Sequence, residues 1–461
     1  MNSNICFRMK LRSKFLLALT LLPLFVAGAL AAPTPPESLP PDVPDKLDLP
    51  TAIRYALDNN FAIREARERI REQEGLIITV KAQVLPNANI NAGYTDNAKE
   101  LSSDLGQANP ATDNWHIQLG VTQLLYSGGG VRAALSAQSA LRQAALLDLQ
   151  STINDALYEV RTRFYTVLLD REQIKVQESN VELLQQAYQI AKNRFDAGAS
   201  SKFEVLQAQV AVANAQPPLI NARNAFRTAV DQLRHSIGYR NPRADSLTKV
   251  PDFIGELNVK TVKYDLQSSI DAALANRPDL QRLGRIAEAR RAGVRNAQAG
   301  YLPTVSLTGG YEIRKNNYHD SFRDYVDGWL VGVQSSWDVF DGRATRGRVI
   351  QARSQLRQAE LETQDNTLSV EVDVRSSLSS LQEAAELTDA TRQSVGEAEE
   401  AVRLADARFS AGTITQLDVL SARNALTQAR LNQLQANYQY NVAVASVRRS
   451  IGETDPVISN H

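Results

Sequence analysis

The sequence runs to 461 residues and carries 51 Lys and Arg against 51 Asp and Glu, a balance that does not suggest a nucleic-acid-binding surface. Cys6 is its one cysteine and its two methionines are Met1 and Met9, which excludes a disulfide framework, a cysteine-ligated metal and thiol catalysis from everything beyond the first residues. The four histidines, His116, His235, His319 and His461, are scattered without metal-ligand spacing, and no G-x-S-x-G motif occurs.

Arg8, Lys10, Arg12 and Lys14 precede an apolar run from Phe15 to Leu30, and Ala29-Leu30-Ala31 offers small residues at cleavage spacing. The pattern predicts a secretory signal peptide over 1–31, cut near Ala31; a short anchor helix is the alternative. Removing those four basic residues leaves 47 against 51 acidic ones. Residues 32–47 are proline-rich and read as a disordered leader. No later stretch approaches the ~20 apolar residues of a membrane helix. A secreted chain of this kind meets a membrane as a β-barrel or from its surface.

A first unit spans 48–242. Ile53, Leu57, Ile63, Ile70 and Ile77 give residues 49–83 a helical pattern, which stops before Leu85-Pro86 because a residue preceding proline is driven out of the helical region. Ala88, Ile90, Ala92 and Tyr94 then alternate with Asn87, Asn89, Asn91 and Gly93, the period of a strand with one apolar and one polar face. After a polar loop (95–114), Trp115, Ile117, Leu119 and Val121 alternate with His116, Gln118, Gly120 and Thr122. Ser127 stands as the expected N-cap of a helix that runs to Phe195, with Leu146, Leu149, Ile153, Leu157, Val160, Phe164 and Leu168 at gaps of three and four. That helix has about 68 residues, or ~100 Å at 1.5 Å per residue. Ala197-Gly198 ends it, and a second helix returns over 201–238. Ser127-Gly128-Gly129-Gly130 is glycine-rich but lacks the G-x4-G-K-[ST] pattern of a phosphate loop, so it reads as a strand-to-helix turn.

The chain is then written again. Asp48-Leu49, Ile53, Leu57 and Asn59 return as Asp265-Leu266, Ile270, Leu274 and Asn276 at an offset of 217, as do Leu85-Pro86 and Tyr94 at Leu302-Pro303 and Tyr311. From Trp115 and Trp329 onward the offset is 214, carrying Arg194-Phe195-Asp196-Ala197-Gly198 to Arg408-Phe409-Ser410-Ala411-Gly412, and Ser236-Ile237-Gly238 to Ser450-Ile451-Gly452. A period this long is duplication of a whole unit. Residues 243–264 form the inter-repeat, equatorial segment, 265–456 the second repeat and 457–461 a tail. In the second repeat Val305, Leu307 and Tyr311 mark one strand, Trp329, Val331, Val333 and Val339 the next, and Asp341 the expected helix cap. All three tryptophans fall in strand segments, and Tyr94, Tyr126, Tyr311 and Phe340 sit near strand ends, as aromatic girdles do in membrane barrels; two amphipathic hairpins on a soluble core are the plainer alternative.

Four strands cannot close a barrel, and open edges do not survive in lipid, so the chain must assemble. Two copies would give eight strands with a filled interior, and three would give twelve with room for transport. The helices before and after each long helix sum to nearly its length, which predicts an elongated hairpin with strands at one end and a turn at the other.

The signal, the duplicated halves, the Leu-Pro breaks, the helix entries at Tyr126-Ser127-Gly128-Gly129 and Phe340-Asp341-Gly342, and the turns from Arg194 to Gln209 and Arg408 to Arg423 resemble the TolC-type outer membrane factors. The resemblance covers the chain after the signal. It implies an α+β membrane protein: a homotrimer with a twelve-stranded barrel in the outer membrane, continued by a long α-helical periplasmic tunnel, without cofactor or enzymatic chemistry. It also implies partners, a periplasmic adaptor and an inner-membrane pump or ABC exporter, in a tripartite efflux pump or type I secretion system. It places adaptor docking at the small-residue turns, here Ala197, Gly198, Ala411 and Gly412, and a pore constriction at Asp418 with Glu204 as its first-half partner. A three-fold ring of carboxylates would favour cations; acids solvated at a helix N-terminus are the alternative. Members that lock the entrance tightly carry tyrosine and arginine where this chain has Phe409 and Ile414, side chains that cannot supply that hydrogen-bond and ion-pair network. A periplasmic coiled-coil adaptor or scaffold, with the strands in a soluble domain, is the competing reading.

Overall fold

A computed structural model describes residues 46–96, 98, 113–239, 251–316, 322–453 and 455. The predicted signal peptide, the leader up to residue 45, residues 99–112 and the tail lie outside the described residues. Two units divide the chain, and all of the described residues belong to the one spanning Val43–His461.

In chain order the elements are β1 (Lys46–Leu47), α1 (Leu49–Asn59), α2 (Phe61–Ala82), β2 (Asn87–Asp96), β3 (Asp113–Ser127), α3 (Gly130–Asp196), α4 (Lys202–Ile237), β4 (Asp252–Phe253), α5 (Leu266–Asn276), α6 (Pro278–Gln298), β5 (Thr304–Lys315), β6 (Tyr325–Ser336), α7 (Ala344–Ser410) and α8 (Gln416–Ser450). The duplication is thus an element-by-element repeat, and both long helices have 67 residues. In the lower part of the molecule the helices lie side by side in the order α4, α3, α8, α7; nearer the strands the order is α2, α3, α6, α7. Among the described residues no helix is long and apolar enough to cross a membrane.

The strands form one antiparallel sheet in the order β2-β3-β5-β6. Its register separates two faces. Ile90, Leu119, Tyr311 and Trp329 stand in one row, and Ala88, Val121, Gly309 and Val331 in another, both on the apolar face. On the opposite face Asn91, Gln118, Glu312 and Gly328 align, as do Asn87, Thr122, Thr308 and Gly332. Since successive side chains alternate between faces, the apolar face is continuous across all four strands. It is also uncovered: Trp329 is 79% exposed, Val331 67% and Ile90 62%.

Two hydrophobic cores hold the helices midway. The first gathers Leu47, Ile53, Val160, Phe164, Leu233, Ile237 and Phe253; the second gathers Ile270, Val370, Val374, Tyr440 and Val447. Lys46–Leu47, which the sequence reading gave to the leader, pair in parallel with Asp252–Phe253 and bury Leu47 in that first core. Phe253 meets Phe164 and Phe226 edge to face at 6.1 and 6.2 Å. Farther along the inter-repeat segment, the Tyr440 hydroxyl donates to Lys260 O (3.0 Å) and accepts from Val262 N (3.1 Å).

Several sequence expectations are corrected. Residues 49–83 are not one helix, because Asn60 leaves the helical region (ψ 128°) and its side chain accepts from Ala62 N and Ile63 N to start α2 afresh. Arg277, preceding Pro278, breaks the second half at the equivalent place. The break receives the end of the return helix: Asn60 Nδ2 donates to Ser236 O (2.6 Å), and Gly238 (φ 73°) lies so near that a Cβ there would stand 2.1 Å from Asn59 O. Close approach is the reason for the repeated Ser-Ile-Gly. Ser127 and Asp341 are not the N-cap residues; those are Gly129 and Arg343, both left-handed. Their side chains still cap the first turn from two residues back, Ser127 Oγ accepting from Val131 N (3.3 Å) and Asp341 Oδ2 from Thr345 N (2.7 Å). Strand β6 ends at Ser336, so Trp337, Val339 and Phe340 lie beyond it, exposed.

An arginine on the apolar face is expected to cost far more than one across the sheet. Leu119→Arg should destabilise the protein in lipid vesicles by about 2–4 kcal/mol, whereas its neighbour Gln118→Arg should change little. Urea unfolding in vesicles measures both; equal costs would remove the assignment of the apolar face to lipid.

Candidate functional site

The tips of the two helical hairpins carry the residues the sequence singled out. Each long helix ends in the same motif. Ala199 N donates to Arg194 O (2.8 Å) and Gly198 N to Phe195 O (2.9 Å); Thr413 N donates to Arg408 O and Gly412 N to Phe409 O, both at 3.0 Å. These paired bonds satisfy the last carbonyls and require a left-handed residue, supplied by Gly198 (φ 74°) and Gly412 (φ 75°). Nothing lies within 4 Å of where either Cβ would stand. Ala197, Gly198, Ala411 and Gly412 are all exposed, so both turns offer a small, open surface.

Asp418 is the third residue of α8 and closes a capping box with Thr415. Its Oδ2 accepts from Thr415 N (2.8 Å) and Thr415 Oγ1 (2.7 Å). The Thr415 side-chain bond, then the backbone bond, hold the carboxyl below the usual aspartate range. Within one chain, therefore, Asp418 favours its charged form. Glu204 is built alike on α4, where its Oε2 accepts from Ser200 Oγ (2.7 Å) and its amide donates to the N-cap Ser201 (3.3 Å). Ile414 is half-buried just before the cap.

Phe409 does more than its sequence suggested. The Arg194 guanidinium lies 5.1 Å from its ring centroid, a cation–π contact that ties the tip of the first repeat to the second. Arg423, named from the sequence only as the end of the second tip turn, is a bridge: its guanidinium donates to Leu183 O (3.3 Å) and Asp406 Oδ1 (3.1 Å), joining α8 to both α3 and α7. The sequence held a faint signal, since Arg423 has Gln209 as its first-repeat counterpart and so breaks the repeat. Phe203 (72%) and Leu417 (57%) are the exposed apolar side chains that open the two return helices. No cluster that could hold a metal ion is found among the described residues.

A duplicated helical hairpin, a four-stranded sheet with one apolar face and, among the described residues, two open edges, and paired small-residue tips are the features of a channel subunit. The model of the family described as outer membrane efflux protein matches residues 52–239 and 269–453, one match to each repeat. The chain belongs to that family, an outer-membrane exit duct of efflux pumps with its helices in the periplasm. Outer membrane protein TolC of Escherichia coli is 25% identical over 88% of this chain and 80% of its own length. The cobalt-zinc-cadmium resistance protein CzcC of Cupriavidus metallidurans is 25% identical over 90% and 92%, and nodulation protein T of Rhizobium leguminosarum bv. trifolii 22% over 88% and 85%. Among solved structures the fold matches the Campylobacter jejuni CmeC outer membrane channel with a TM-score of 0.76 at 18% identity, over 89% of this chain and 88% of that one. It matches the open state of the Neisseria gonorrhoeae MtrE channel with 0.72 at 16%, over 88% of each.

The tip turns make a stability prediction. A side chain in the left-handed region costs roughly 1–2 kcal/mol, so Gly412→Ala should speed amide exchange locally at 408–420 and leave the cores unchanged. Asp418 has a depressed pKa, so its capping contribution is present above the unfolded value and lost as pH falls through the folded one. Protection at Leu417–Val419, measured against the intrinsic exchange rate at each pH, should fall on acidification in the wild type and be low at every pH in Thr415→Val. Mass spectrometry of exchanged peptides reads both; a pH-independent wild-type tip would refute the capping role.

Proposed function

We propose that three copies of this chain close one duct, a twelve-stranded barrel continued by helices, and that this homotrimer performs no enzymatic reaction and holds no cofactor. The observation that carries the reading is the sheet with two unpaired edges and one apolar face, which hydrocarbon tolerates only in a closed ring. A periplasmic adaptor docks at Ala197, Gly198, Ala411 and Gly412, and an inner-membrane pump or exporter supplies the cargo. Relatives named for metal resistance and for nodulation are similarly distant, at 25% and 22% identity, so resemblance selects no cargo. Since no side chain crowds either glycine, Gly412→Leu combined with Gly198→Leu should abolish export while trimers still insert. Native mass measurement in detergent should give the trimer; a folded monomer stable in detergent-free buffer would overturn the reading.

At the entrance, Asp418 from three copies forms the constriction, with Glu204 secondary. Phe409 and Ile414 close it by packing, since neither can build a polar lock; Phe409 is already held by Arg194. In planar bilayers the wild-type channel should be cation-selective and blocked by divalent ions from the periplasmic side. Asp418→Ala should weaken both properties, Glu204→Ala less, and Ile414→Ser should raise conductance. Anion selectivity in the wild type would discard the ring.

A further inference from the structure

The charges of the chain balance overall but not along the helices. Next to the sheet, residues 130–147 of α3 hold two arginines and no acid, residues 280–301 five arginines against Glu288, and residues 343–359 five arginines and no acid. Toward the tips the sign reverses, since residues 383–406 carry seven acids and two arginines. So large an excess at one level of a neutral chain calls for a partner of opposite sign.

These arginines occupy the outer face of the helical row. On α3, Phe164 meets Phe253 of the inter-repeat segment, which would block the duct if it lay inside. Ser139 precedes Phe164 by 25 residues, about seven helical turns, and Arg132 precedes Ser139 by about two more, so all three point the same way. Ser136, Ser139 and Gln143 line a groove with Arg291 and Arg295 of α6. Arg291 reaches Glu360 of α7 (3.8 Å), and Arg346 precedes Glu360 by 14 residues, about four turns. Arg132, Arg295 and Arg346 thus stand on three adjacent helices of one outward surface, all exposed. None of them forms an ion pair among the described residues; Arg295 donates to Ser136 Oγ (3.5 Å).

They also share a level. Arg132 and Arg346 are the third residues of their helices and Arg295 the fourth from the end of its own, which puts each within ~6 Å of the strand-to-helix junction. Immediately above, Trp337 Nε1 donates to Tyr301 O (3.2 Å), and Val339 and Phe340 are 80% and 84% exposed. Apolar side chains end here and cations begin, as at the periplasmic border of a membrane. Two acids lie at the border, Asp338 and Asp341, and Asp341 is engaged by Thr345 N (2.7 Å). A copy packed alongside cannot neutralise the arginines, because residues 75–86, the strand-proximal end of α2, contain Lys81 and no acid.

We propose that Arg132, Arg295 and Arg346 form a collar that binds the phosphodiesters of anionic phospholipids in the periplasmic leaflet of the outer membrane. The guanidinium fork matches two phosphate oxygens, and a headgroup without a cation of its own leaves that charge uncompensated. Each basic residue at a membrane surface raises affinity for anionic lipid roughly fivefold, and the gain fades within a screening length of ~8 Å. Arg285 and Arg357, both ~20 Å below the junction, lie beyond that reach. The inference rests on the sheet lying in lipid and not on the number of copies.

The chain's three tryptophans allow a direct test. With Trp115→Phe and Trp329→Phe, Trp337 alone reports, in the collar's own leaflet. In vesicles of mixed phosphatidylglycerol and phosphatidylethanolamine, brominated one lipid at a time, quenching of Trp337 gives the ratio of their association constants. With the arginines intact, phosphatidylglycerol should be preferred severalfold, and the ratio should fall toward unity at about 1 M salt, where the screening length is ~3 Å. Arg132→Gln, Arg295→Gln and Arg346→Gln together should abolish the preference, whereas Arg285→Gln with Arg357→Gln should leave it. A preference undiminished in the triple variant or in high salt, or lost equally in the lower pair, would overturn the collar. Its removal by millimolar inorganic phosphate at constant ionic strength would mark a free-anion site instead. Capture of the protein by purified peptidoglycan, with no lipid preference, would assign the arginines to the cell wall and equally overturn the proposal. Trp337 unquenched by either lipid would refute the placement of the sheet in lipid, a separate failure.

Discussion

A strand edge in hydrocarbon leaves amides and carbonyls with no water to bind, at a cost of several kcal/mol for each unsatisfied group. The sheet β2-β3-β5-β6 has two such edges and a face of Ile90, Leu119, Tyr311 and Trp329 that suits lipid and not water. The chain is therefore an incomplete object, and its completion dictates the rest. In the proposed trimer, closing the sheet into a ring would set the helices that follow each hairpin side by side, so that a ring of strands would continue as a ring of helices.

Duplication solves a symmetry problem in that ring. Each repeat contributes a strand pair, a long helix and a jointed partner, and the joints at Asn60 and Arg277 are where the return helix ends dock. Gly238 and Gly452 both sit in the left-handed region there, pressed against the backbone of Asn59 and Arg277. Long helices of 67 residues are thereby matched by two shorter ones end to end. At the tips the repeats diverge: Arg423 replaces Gln209, Asp406 replaces Lys192, and Arg194 reaches Phe409. These divergent residues supply the contacts that hold the two hairpins of one chain together at the tips.

Much of this was legible in the residues. Alternation of Asn and apolar residues over 87–94, helix length, and the Ala-Gly tip turns are local properties, set by side-chain period and by the left-handed backbone that glycine permits. The register of 217 and then 214 between repeats gave the domain plan. Local patterns also misled: helical periodicity ran straight through Asn60, because the signal for the break is the close approach of a glycine 178 residues later. Ser127 and Asp341 looked like ordinary caps, and the consecutive left-handed residues Gly128-Gly129 and Gly342-Arg343 moved the helix starts beyond them.

Sequence alone determined the repeated unit, the amphipathic strands and the need for assembly, since these follow from periodicity and from the chemistry of backbone groups in lipid. Tertiary structure decided the lateral order α4, α3, α8, α7, the cation–π contact of Arg194 on Phe409, the Arg423 bridge, and the capping box that holds Asp418 charged. The first three join segments far apart in the chain, where no local pattern constrains which side chains meet; the last depends on the rotamer by which a carboxylate turns back to its own helix terminus.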